Sequence, residues 1–206
     1  VEALLFGQAA LLNETLEDEY PKSLLKEYEF LKQKHRLQPI AGVAWKFMRL
    51  RPANFPTIRI AQFATLIHQS VHLFSKILEA ETIEQIEGLF RVNLSDYWLT
   101  HYVFDKTSAE RNKSLGRSTI HLLIINTIAP FLFFYGSQRG IKEQCDKALR
   151  LLEYLPPESN KIISGWKQLG MSPRSAYDTQ ALIQLKNNFC NASACLDCAV
   201  GNSILK

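Results

Sequence analysis

"PTIRIAQFATLIHQSVHLFSKIL", residues 56–78, carries the clearest helical period in the chain and decides the fold class. Ile60, Phe63, Ala64, Ile67, Val71, Phe74 and Leu78 recur every three or four residues, with Gln62, Thr65, Gln69, His72 and Lys76 opposite. The spacing predicts one amphipathic helix, capped at its start by Thr57. Phe63, Ile67, Val71 and Phe74 are expected to be buried against the apolar run at residues 122–134.

Working outward, the same period returns almost everywhere. Leu4, Leu5, Ala9 and Leu12 mark a first helix, which ends in the acidic cluster Glu14, Glu17, Asp18 and Glu19. Pro21 opens a second, with Leu24, Leu25, Tyr28 and Leu31 on one face, and Pro39 and Gly42 break it. "VAWKFMRL" reads as a short helix or turn, "ETIEQIEGLF" as an amphipathic piece, and "VNLSDYWLTHYVF" as a helix capped by Asn93 or Ser95. The polar stretch around Gly116 reads as a loop. "IKEQCDKALRLLEYL" is amphipathic and closed by Pro156 and Pro157, and a last helix is expected over residues 194–205. Alternating patterns never run beyond a few residues. The expected fold is all-α, an irregular multi-helix bundle forming one domain over residues 1–206.

Of the 206 residues, 47% are hydrophobic and 21% charged, which suits a globular chain with a sizeable core and excludes a disordered one. The net charge of +4 permits an anionic partner without requiring one. The chain opens with no basic leader or cleavage site, so it does not read as a signal peptide. The run "STIHLLIINTIAPFLFFYG" is interrupted by His121, Asn126 and Pro130 and falls short of the roughly 20 residues a span needs. It is expected to be a core helix kinked or stopped near Pro130, with no membrane partner and a cytoplasmic location.

Two stretches could carry chemistry. In "RLRPANFPTIRIAQFA" (residues 49–64), Pro52 and Pro56 forbid a continuous helix and push the residues before them toward extended backbone. Arg49, Arg51 and Arg59 therefore flank a rigid corner beside a helix start. They either hold an anion such as a nucleic-acid phosphate, joined by Arg117 and Arg139, or brace the corner itself.

The second stretch, "CNASACLDCAVGNSIL", sets Cys190, Cys195 and Cys198 in a C-x4-C-x2-C array, with Cys145 the fourth cysteine. Zinc or an iron–sulfur cluster takes four ligands, and only three are local here. The alternatives are structural thiols or a redox pair. His68 and His72 stand four apart without the glutamate of a zinc hydrolase, and are expected on a solvated face. No G-x-S-x-G, P-loop or G-x-G-x-x-G occurs.

Together "EALLFGQAALL", "WKFMRLRPANFPTIRIAQFA", "NTIAPFLFFYG" and "CLDCAVGNSIL" resemble an uncharacterised bacterial family, a domain of unknown function. The resemblance implies that this chain is the C-terminal helical part of a protein about twice as long, whose N-terminal part looks like a PD-(D/E)xK nuclease. It assigns no catalytic residue here. The expected function is a helical binding and scaffolding module that supports this nuclease-like part and contacts nucleic-acid phosphates, rather than an enzyme. The rivals are a metal- or iron–sulfur-dependent enzyme built on the cysteines, and a purely structural or oligomerisation domain.

Overall fold

A computed structural model describes residues 1–42 and 44–205. Val43, at the head of "VAWKFMRL", and Lys206 lie outside the described residues. The fold is all-α and multi-helical, as the periodicity requires. It divides into two compact units, Val1–Arg117 and Ser118–Lys206.

The first unit is built on α1 (Glu2–Gln8), α2 (Glu19–His35) and α3 (Pro56–Gln69), with α1 packed on both of the others. Its core comprises Ala3, Phe6, Leu24, Tyr28, Ile58, Ala61 and Trp98. Phe6 and Trp98 stack with centroids 5.5 Å apart. α1 approaches α2 closely enough that a Cβ on Gly7 would enter the Tyr28 ring, so only glycine fits there. The buried face of α1 is Ala3, Phe6 and Gly7, rotated from the expected Leu4 and Leu5 stripe.

A single helix over residues 56–78 does not form. α3 stops at Gln69, His72 adopts the left-handed region (φ 62°), and α4 (Leu73–Glu79) starts afresh. The expected core stripe is also on the wrong face. Phe63 and Val71 are 53% and 62% exposed, and Ile67 and Phe74 are exposed too, as are Leu122, Phe131, Phe133 and Phe134. The buried face of α3 is Thr57, Ile58, Ala61, Gln62, Ala64 and Leu66, because small side chains let helices approach and fill space at crystal-like density. Thr57 is not the cap. Phe55 precedes the helix, Pro56 occupies its first turn, and the Thr57 hydroxyl donates to the Tyr102 carbonyl.

α5 (Ile83–Leu89) begins with a capping box: Thr82 accepts from the Gln85 N–H while the Gln85 side chain accepts from the Thr82 N–H. The "SDYWLTHYVF" segment is only briefly helical. α6 (Tyr97–Thr100) gives way to β1 (His101–Val103), paired antiparallel with β2 (Lys106–Thr107). Asp105, in the left-handed region, makes the turn between them.

From Arg117 the chain runs helically to Arg139: α7 (Arg117–Leu123), a π-helical segment (Ile124–Ile128) and α8 (Ala129–Arg139). These 23 residues are long and apolar enough to cross a membrane by length and composition, and 39% of their most apolar window is buried within the protein. Pro130 neither stops nor breaks this helix. A proline ring clashes with the carbonyl four residues back, and the π segment opens the backbone there, with the Ala129 N–H reaching the Ile124 carbonyl instead.

α8 then packs on α9 (Lys142–Tyr154), and Gly136 sits so close to Ile141 and Cys145 that a Cβ would lie 2.8 Å from the Ile141 carbonyl. α10 (Lys161–Gln168) and α11 (Ala176–Gln184) follow, capped by Asn160 and Ser175. A second π segment (Leu185–Cys190) and α12 (Ala199–Leu205) complete the second unit. The last helix starts five residues later than the expected position 194, after turns that contain Cys195 and Cys198.

Candidate functional site

The proline corner is held from inside. Pro52–Asn54 form a 3-10 turn, and Phe55 packs edge-on against Phe47 with centroids 5.3 Å apart. Arg59, one turn into α3, donates to Asn54 Oδ1 (2.6 Å) and Gln62 Oε1 (2.9 Å). Gln62, itself buried, passes the link on by donating to the Lys113 carbonyl at 2.7 Å. Burial pulls the Arg59 guanidinium below its ordinary pKa, yet an arginine keeps its charge. Arg59 is thus a brace, tying the turn before the helix to the first turns of the helix.

Arg49 and Arg51 differ from it. Both are exposed, and neither has a side-chain hydrogen bond or ion pair among the described residues. Arg49 adopts the left-handed region (φ 63°), which non-glycine residues occupy at a cost of about 1 kcal/mol or more. The two further arginines are committed elsewhere. Arg117 donates from Nε to the buried Glu87 carboxylate at 3.0 Å, and Arg139 lies over the Tyr135 ring in the second unit.

The cysteines are all free thiols. Cys190, at the end of the second π segment, and Cys195 are exposed, while Cys198 is buried. Cys145 donates weakly to the Phe133 carbonyl at 3.5 Å. Among the described residues no group of three or more His, Cys, Asp or Glu side chains is arranged to hold a metal ion. His68 and His72 are exposed, and the break after Gln69 removes the helical spacing that would align them.

Sequence patterns missed a polar network in the first unit. The Tyr97 hydroxyl donates to Asp18 Oδ2 (2.6 Å) and accepts from the Asp105 N–H (3.1 Å). The Asp105 carboxylate accepts the N–H groups of Glu17 and Asp18, both at 2.9 Å. His101 Nδ1 lies 2.9 Å from the Tyr97 carbonyl and 3.0 Å from the Thr100 hydroxyl. Its Nε2 faces Asp18 Oδ2 at 3.5 Å, an ion pair when the imidazole is protonated. Beside them the Trp98 indole donates to Glu2 at 2.7 Å. The network joins α1, α2, α6 and the hairpin. Its long-range bonds span 79 to 96 residues of sequence, and the four-residue spacing of Tyr97 and His101 is its local trace.

Residues 1–161 match the model of one family, described as "Protein of unknown function (DUF2851)". The cysteine-rich end lies beyond that match. No curated protein and no solved structure matches the chain.

Proposed function

The chain belongs to the DUF2851 family, and for it we propose a helical binding and scaffolding module that contacts nucleic-acid phosphates through its proline corner and supports a nuclease-like part of the same protein. One observation carries the reading. Arg49 and Arg51 stand exposed, with no partner among the described residues, on a corner whose interior is fully braced. Two guanidinium groups on a rigid mount suit phosphate oxygens, which such groups engage in bidentate fashion. Contacts of this kind position a nucleic acid without reading its sequence. In this reading Arg59 holds the corner in place.

Fluorescence anisotropy with labelled duplex DNA at several salt concentrations tests this. Arg49→Gly is the informative variant, because it removes the guanidinium and relieves the left-handed backbone together, so the fold is kept. Combined with Arg51→Ala it is expected to weaken binding to every sequence alike. The slope of log affinity against log salt should fall by about 1.8, or about 0.9 for each phosphate no longer neutralised. Arg59→Ala should lower the melting temperature first. An affinity and slope unchanged in the double variant would refute the phosphate reading.

A further inference from the structure

The geometry points to a second binding site in the Ser118–Lys206 unit. It is a groove between α10 and the second π segment that takes an apolar chain ending in a carboxylate. The groove encloses about 540 Å³, within the range of roughly 300–1,000 Å³ typical of small-molecule pockets. It begins at the last residue of the family match and is independent of the phosphate reading.

Its walls are apolar for identifiable reasons. Ile162, Trp166 and Leu169 lie on one face of α10. The Trp166 indole N–H is already satisfied by the Leu182 carbonyl at 3.1 Å, so its ring surface is left to the groove. Leu169 is 77% exposed, and only an occupant would cover it. Between these residues sits Gly165, where a Cβ would meet nothing within 4 Å. The missing side chain is part of the space. The opposite wall is a π segment, a wider turn often found at functional sites, and its Asn191 N–H bonds the Lys186 carbonyl five residues back.

Charge selects the occupant. The charged side chains lining the groove are Lys161 and Lys186, both exposed and without an ion pair among the described residues. An apolar slot with two ammonium groups at its mouth favours an anionic amphiphile over a neutral or cationic one of the same length. The tail displaces water from Trp166 and Leu169 while the carboxylate stays at the wet rim with the lysines.

Calorimetric titration with sodium decanoate below its micellar concentration is the first measurement, alongside decanol and decyltrimethylammonium. Decanoate is expected to bind about fivefold or more tightly than decanol, as two exposed charge pairs allow, and the cation more weakly than either. Lys161→Gln with Lys186→Gln should abolish the preference for decanoate and leave decanol binding intact. Gly165→Leu should fill the groove and remove both. Independently of any variant, decanoate should slow alkylation of Cys190, read by peptide mass spectrometry, and leave Cys195 unchanged. No decanoate binding, equal binding of anion and cation, or undiminished binding and no Cys190 protection would overturn the site.

Discussion

Tyr97 lies flat on His101, with ring centroids 3.9 Å apart and planes within 5°, while its hydroxyl donates to Asp18. One side chain thus fixes the start of α2, the short helix α6 and the hairpin together. Tyr97→Phe keeps the stack and removes the hydrogen bonds. It should cost about 1.5–2 kcal/mol, the lower part of the range for bonds to a charged group, since Asp18 is partly exposed. Chemical denaturation followed by tryptophan fluorescence measures this.

The same tyrosine predicts a pH dependence. Burial raises Tyr97 and Tyr20 above the ordinary tyrosine range, and Asp18 raises Tyr97 further. A group held more protonated in the folded state gives stability that is complete below its unfolded pKa of about 10 and is lost as pH rises toward the folded value. Alkaline unfolding should therefore set in above about pH 10. Absorbance at the phenolate band should show two tyrosines that ionise only with unfolding, and one in Tyr97→Phe.

Gly7→Ala should be among the most damaging single-methyl changes in the first unit. The added carbon would enter the buried Tyr28 ring at its attachment point, which a rotamer change does not clear. Overpacking of this kind costs about 3 kcal/mol. A melting temperature unchanged from the parent would mean that α1 and α2 leave room for a methyl group between them.

A pair of truncations on α3 reads its orientation directly. Ile58 is fully buried and Phe63 is half-exposed. Ile58→Ala should cost about 2–5 kcal/mol, and Phe63→Ala less than about 1 kcal/mol. The reverse order would restore the aromatic stripe to the core.

Arg117→Ala removes the guanidinium from a Glu87 carboxylate only 4% exposed. The loss should be about 1.5–3 kcal/mol, the value for hydrogen bonds to charged groups. Thermal unfolding should show a smaller loss at high salt than at low salt, because the Arg117 side chain is 69% exposed and salt screens its charge.

Helicity was legible because period survives without knowledge of partners: the Leu24 and Tyr28 face of α2 is buried as its spacing implies. The face of α3 was not. Hydrophobicity favours Phe63 over Ala61, whereas a close helix crossing favours the alanine, and only the neighbour decides between them. At the candidate site, the corner followed from proline stereochemistry, whereas the exposure of Arg49 and Arg51 did not. The bracing of Arg59 by Asn54 and Gln62 did not, since a guanidinium beside a helix start serves either role. The His101 network depends on Asp18 arriving from a distant helix, which no local pattern encodes.

The π turn ahead of Pro130 has a consequence for how the chain is written. Ile120, Ile124, Ile128, Leu132 and Gly136, all buried, recur at every fourth residue. In a regular α-helix each such step overshoots a full turn by about 40°, so five residues would spiral around the cylinder. A wider turn advances less per residue and takes back much of that drift. The segment acts as a phase corrector, letting a strict four-letter rhythm remain on one side of a 23-residue rod. Deleting one residue within it would throw Leu132 and Gly136 about 100° off that line.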